Sequence, residues 1–191
     1  MADPGTGGLA VADIGDWLAC TADLAAPVWL SGGVAVDALV GRRTRPHHDV
    51  DVVALTPDRS AVTAGLAERG VTLAEDAGWT SRWRRGEAGP ADLEIVFVQP
   101  AQRHGGVLVV PGRPGGQPRR LDLLPGYLDP DRWVEVAGIR HRVCSPEGEW
   151  WNRRHSQDLV PGRRAEPKVA HDLALLEELV PDARRGQLLD G

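Results

Sequence analysis

The amino-acid sequence predicts an α+β fold, a sheet flanked by helices with a short helical part at the C-terminal end. Three observations carry this reading. Residues 29–55 spell a short strand, a Ser-Gly-Gly turn, a helix and a second strand, compact enough for one strand–helix–strand unit. Strand patterns then recur at residues 71–75, 79–84 and 91–98. Helical patterns close the chain from residue 146 onward.

The elements follow in order. Leu9 to Leu24 reads as a helix, with Val11, Ile14, Trp17 and Leu18 as its apolar stripe. After the strand at Trp29-Leu30 and the turn Ser31-Gly32-Gly33, an amphipathic helix runs to Gly41, a C-terminal stop. Pro57 to Arg69 is helical, with Thr56 as its cap and Pro57 in its first position. Val71–Glu75 and Trp79–Arg84 pair as strands through Asp76-Ala77-Gly78, and Ala91–Val98 is the next strand.

Between Pro100 and Pro130 the chain reads as loop around one short strand, Val107–Val110. The glycines of His104-Gly105-Gly106 and Arg113-Pro114-Gly115-Gly116 support that. Trp133–Ala137 and Ile139–Cys144 form a hairpin turning at Gly138. Helices over Pro146–Ser156 and Pro167–Val180 finish the chain. Residues 1–145 are thus expected to form the core and 146–191 a helical segment packed on it, with no internal repeat and no dividing linker.

A chain of 191 residues, 42% hydrophobic and 26% charged, is long enough for one hydrophobic core. No apolar run approaches a membrane span, and Met1-Ala2-Asp3-Pro4-Gly5 lacks a basic, then apolar, secretory start, so a cytoplasmic location is expected. Cys20 and Cys144 have neither metal-ligand nor redox spacing and read as reduced, buried residues. The net charge of −5 and a single lysine, Lys168, argue against nucleic acid and favour a small or cationic partner. Seven tryptophans accompany one Phe and one Tyr; Trp150 and Trp151 read as core, with stacking on a bound ring the alternative.

The chemistry concentrates in Arg45-Pro46-His47-His48-Asp49-Val50-Asp51-Val52-Val53. Strand alternation turns Asp49 and Asp51 to the same face at the mouth of an apolar run, where like charges repel. A divalent cation that also holds phosphates resolves that repulsion, the alternative being an Asp pair that merely punctuates a loop-to-strand junction. About twenty residues upstream, the glycines of the Ser31-Gly32-Gly33 turn let backbone N–H groups approach an anion beside a helix start.

Together Gly32-Gly33-Val34-Ala35-Val36-Asp37, Gly41, Thr44-Arg45, His47, Asp49 and Asp51 resemble the signature of the nucleotidyltransferase superfamily. The similar branch is that of aminoglycoside and lincosamide nucleotidyltransferases, which carry Trp where this chain has Val34. The resemblance implies a polymerase β-like fold, a mixed twisted sheet flanked by helices. It also implies a third carboxylate on a later strand. Glu94 is the candidate, ahead of Asp92, because it lies deeper in an apolar strand where an unpaired charge costs more.

The implied reaction transfers a nucleoside monophosphate, from ATP or another nucleoside triphosphate, to a hydroxyl of an aminoglycoside- or lincosamide-like molecule. Asp49, Asp51 and Glu94 would be the catalytic and metal-holding residues for two Mg²⁺ ions, with Glu94 also the proton acceptor. Ser31, Gly32 and Gly33 would cradle phosphates. Lys168, on an ending loosely similar to that of the branch and near Arg163-Arg164, either reaches the triphosphate or pairs with Asp172 on the surface. Arg45 orients phosphate or positions its loop, and His47 packs behind the metal site. Asp37 ties its helix to Thr44 or contacts the acceptor. Asp172 is read as solvent-facing and His48 as exposed. The branch allows a homodimer. The competing readings are a minimal nucleotidyltransferase acting on a protein or RNA partner, of the toxin–antitoxin type, and a non-catalytic binding module.

Overall fold

A computed structural model of the chain describes residues 8–86, 92–100, 106–110, 117–159 and 166–190. The expected strand start at Ala91, the loop glycines at 104, 105, 115 and 116, and Arg163-Arg164 lie outside the described residues. The elements run α1 (Val11–Ala22), β1 (Val28–Ser31), α2 (Gly32–Val40), β2 (Val50–Leu55), α3 (Arg59–Glu68), β3 (Val71–Asp76), β4 (Thr80–Arg85) and β5 (Leu93–Pro100). After them come β6 (Gly106–Val110), β7 (Arg119–Asp122), β8 (Trp133–Val136), β9 (Ile139–Arg142), α4 (Pro146–Leu159), α5 (Pro167–Leu179) and α6 (Asp182–Asp190).

The main sheet has the order β1-β2-β5-β4-β3, extended by β6 and β7 from the far end of β5. It is mixed: β2 and β5 are parallel, and the other pairs are antiparallel. The β8–β9 hairpin forms a separate sheet. Its turn residues Ala137 (φ 52°) and Gly138 (φ 78°) are both left-handed, the geometry that matches strand twist.

Alternation sorts β2 and β5 into two faces. Val50, Val52, Ala54, Leu93, Ile95 and Phe97 pack with Ile14, Trp17 and Leu18 of α1 and Val62 and Leu66 of α3. The opposite face carries Trp29, Val53 and Val98 against Leu108, Leu121, Leu123 and Tyr127. A third cluster joins Val36 of α2 to Trp150, Leu175, Leu176 and Val180, so α4 and α5 dock on the helix that follows the glycine turn. Burying one such side chain is worth about 1.5–3 kcal/mol, which ties the C-terminal helices firmly to α2.

Several expectations need correcting. Thr56 and Pro57 form a short 3₁₀ turn, and α3 starts at Arg59 behind Asp58. Val11 stands 54% exposed at the outer start of α1. The segment read as loop contains β7, whose Arg-Arg-Leu-Asp sequence buries only Leu121. A helix α6 follows Pro181. Both cysteines are free, Cys144 buried and Cys20 half-buried.

Candidate active site

One row of residues crosses four neighbouring strands of the sheet. Ser31 lies opposite Asp51, Asp51 opposite Glu94, and Glu94 opposite Arg82. Residues in register on neighbouring strands share a face, so Ser31, Asp51, Glu94 and Arg82 look the same way. Below them on this face lie Val53, Val96 and Val98, so two carboxylates cap an apolar surface. Asp49 precedes β2 by one residue, half-buried. Asp51 and Glu94 therefore start adjacent parallel strands, as the sequence pattern anticipates.

Glu94 is steered by β4: the Thr80 hydroxyl donates to its Oε1 at 3.3 Å, and Arg82 Nε stands 3.9 Å from Oε2. Asp92, the other candidate, precedes β5, and its backbone carbonyl accepts the Val50 N–H at 2.7 Å. Burial, joined by the charges of Asp13 and Asp49, pushes the Asp92 carboxyl above its usual range, while Arg82 opposes this. Negative charge thus accumulates where β2 and β5 begin. These hard oxygen donors suit Mg²⁺ by type. Among the described residues, however, no three His, Cys, Asp or Glu side chains already close around one point.

The glycine turn abuts this row. Gly32 has φ +71°, and a Cβ built there would fall on the Asp51 carboxylate. Gly33 packs on the next loop: its Cβ would come 2.7 Å from His47 Nδ1 and would also overlap Arg45 Nη2. Both glycines are therefore required by close approach, one to an acid and one to a base. They start α2, whose first backbone N–H groups have no intrahelical acceptors.

The loop between α2 and β2 is fixed by Asp37, as one of the two readings of that residue expects. Its Oδ1 accepts the Thr44 N–H at 3.0 Å and the Thr44 hydroxyl at 2.5 Å, and its Oδ2 meets His47 Nε2 at 2.6 Å. Burial holds the His47 imidazole below its ordinary value of 6.5 despite the pull of Asp37. His48 is exposed.

Arg45 donates from Nε and Nη2 to the two oxygens of Asp172, each at 3.0 Å, and from Nη1 to the Pro46 carbonyl at 3.2 Å. This geometry serves the loop-positioning alternative for Arg45. Asp172, read as solvent-facing, is 3% exposed. Burial works against its charge, but the hydrogen bonds from Arg45 and the charge of Arg153 outweigh it and lower the carboxyl below its usual value. Lys168 pairs with Glu166 at 3.4 Å in solvent, not with Asp172.

Behind the turn lies a buried polar cluster that the sequence reading missed. The Ser31 hydroxyl donates to Glu149 Oε1 at 2.7 Å, and the Tyr127 hydroxyl donates to the same oxygen at 3.1 Å. Arg153 Nη1 donates to Glu149 Oε2, and its Nε and Nη2 reach Asp172 Oδ2 at 3.2 Å. Burial disfavours the Arg153 charge, yet Glu149 and Asp172 more than compensate and raise its pKa. Burial, with the neighbouring Cys144 and Glu149, lifts the Tyr127 phenol well above its ordinary value, so it remains a donor. Two signals were available: Glu149 and Arg153 are four apart on one helix, and Asp172 sits in the stripe Val169–Asp172–Leu176.

Comparison with known proteins gives a consistent answer. Residues 13–105 match the aminoglycoside-2''-adenylyltransferase family. The solution structure of the antibiotic-resistance factor ANT(2'')-Ia is similar with a TM-score of 0.69 at 21% identity, covering 93% of this chain and 88% of that one. The crystal structure of ANT(2'')-Ia in complex with adenylyl-2''-tobramycin has a TM-score of 0.68 at 22% identity, covering 94% and 93%. Lincomycin-bound LnuA, a lincosamide antibiotic adenylyltransferase, has a TM-score of 0.53 at 16% identity, covering 88% and 93%. No curated relative matches the chain.

Proposed function

We propose that this chain, a member of the nucleotidyltransferase superfamily in its aminoglycoside/lincosamide-like branch, adenylylates a hydroxyl of a small antibiotic-like molecule, with ATP as donor and pyrophosphate as product. The observation that carries the proposal is the row Ser31–Asp51–Glu94, with Gly32 seated on the Asp51 carboxylate. It supports the reading of the turn as a phosphate cradle, because the turn lies directly beside the paired acids.

Asp49, Asp51 and Glu94 are the residues that would hold Mg²⁺, two ions in the full reading. Bound there, the metal would neutralise phosphate charge and lower the pKa of the acceptor hydroxyl. The N–H groups at Gly32 and Gly33, together with the positive end of α2, receive the β and γ phosphates. Glu94 takes the acceptor proton, with Thr80 and Arg82 aiming its carboxylate. Lys168, exposed at the start of α5 where it pairs with Glu166, would have to leave that pair to reach the triphosphate. Asp37 and His47 keep the loop that carries Asp49 in place.

The surplus of acids, a net charge of −5, favours an amine-bearing sugar as the acceptor. Among the described residues no helix is long and apolar enough to cross a membrane. The need for a nucleoside triphosphate donor favours a reaction in the cytoplasm. The test incubates the protein with Mg²⁺, each nucleoside triphosphate and a panel of aminoglycosides and lincosamides. Mass spectrometry should find an acceptor heavier by one nucleoside monophosphate, with stoichiometric pyrophosphate. Unmodified acceptors throughout would overturn the proposal.

A further inference from the structure

We infer that Glu149, Arg153 and Asp172 are positioning residues, a buried relay that grips both ends of the Ser31–Gly33 turn and so sets its spacing from Asp51. The inference rests on the reading of that turn as the phosphate cradle. The contacts form a closed ring. From Ser31 it passes to Glu149, Arg153, Asp172 and Arg45, and it returns to the turn because Arg45 packs against Gly33. Gly32, between the two gripped residues, is the one lying on the Asp51 carboxylate.

The ring holds two arginines and two acids, so its charges cancel. Glu149 is 0% exposed, Asp172 3% and Arg153 8%. Burying such groups is costly, and apolar residues of similar volume would fill the same space at least as well. The surrounding apolar cluster of Val36, Trp150, Leu175 and Leu176 already joins α2 to α4 and α5. What the polar ring adds is direction. A carboxylate accepts along fixed lone-pair directions, and Arg45 lies flat on Asp172 through two parallel N–H bonds. Two helices from the far end of the chain thereby fix a turn that local sequence leaves to flexible glycines.

The experiment measures amide hydrogen exchange at Val36 and Asp37, whose N–H groups close the first turn of α2 onto the Gly32 and Gly33 carbonyls, with the nucleotide KM and kcat, in Asp172→Asn and Ser31→Ala. Asp172→Asn places an amide against two guanidinium groups, and Ser31→Ala removes the hydroxyl that reaches Glu149. Exchange at these two amides should rise about tenfold or more while β5 keeps its wild-type rates. The nucleotide KM should rise together with a fall in kcat per folded molecule. Wild-type exchange at the turn in folded variants would overturn the inference, as would a lowered melting temperature with both kinetic constants unchanged. Should Asp172→Asn not fold, Ser31→Ala decides alone. Turn exchange does not depend on turnover, so a wild-type protein that forms no product refutes the nucleotidyl-transfer reading separately.

Discussion

Replacing Gly32 by alanine should damage the protein in two separable ways. Gly32 has φ +71°, where an alanine costs about 1–2 kcal/mol in conformational energy. Its Cβ would also fall on the Asp51 carboxylate, and relieving such overpacking costs about 1–3 kcal/mol more. Gly41 closes the same helix at φ +77°, with nothing within 4 Å of its would-be Cβ. Gly41→Ala therefore measures the conformational cost alone. For a chain of this size each kcal/mol lowers the melting temperature by about 2–4 °C. Gly41→Ala should thus lose about 2–8 °C and Gly32→Ala about 4–20 °C. Moving a reacting group by about 1 Å costs on the order of 10²-fold in rate. Calorimetric melting and single-turnover transfer assays should show Gly32→Ala losing turnover by at least that factor, with Gly41→Ala active per folded molecule. Equal losses in the two variants, or full activity in Gly32→Ala, would refute the claim that Gly32 sets the position of Asp51.

Further outcomes follow from the same geometry. Asp49→Asn and Asp51→Asn should each lower kcat by orders of magnitude with little change in melting temperature; near-wild-type turnover in folded Asp51→Asn is incompatible with its role. Glu94→Gln should spare nucleotide binding and slow the chemical step, whereas Asp92→Asn should retain transfer; single-turnover rates in the opposite order would move the third acid to Asp92. Burial lowers both His47 and His141 below their ordinary value of 6.5. The unfolded chain therefore binds protons first as pH falls. Folding stability should be full above about pH 7.5, decline through 6.5 and level off below the folded values. Urea melts showing no decline between about pH 7.5 and pH 5 would contradict this.

The parts of the fold that depend on local patterning were readable in advance. Alternation in Val50–Leu55 and Leu93–Val98 fixed which side chains share a face, and the parallel register of β2 and β5 then brought Asp51 to Glu94. The Gly41 stop and the Gly138 turn were legible because left-handed backbone selects glycine. What escaped the sequence was tertiary. β7 buries one residue of four, so its charged surface hid the strand. Asp172 looked solvated because its neutralising partners lie outside its own helix, Arg153 on α4 and Arg45 on the loop before β2. The same holds for Glu149, whose partner Ser31 lies 118 residues away. The stripe Val169–Asp172–Leu176 places Asp172 inside, whereas judging its helical face against Leu176 and Leu179 turned it toward solvent.

A crystal structure with a non-hydrolysable nucleoside triphosphate and Mg²⁺ tests the assignment of Asp49, Asp51 and Glu94 most directly. Metal density should contact Asp49 and Asp51, with the triphosphate tail over the N–H groups of Gly32 and Gly33 and Glu94 facing the α-phosphorus. A nucleotide bound elsewhere, leaving Asp51 and Glu94 untouched by metal or phosphate, would contradict it.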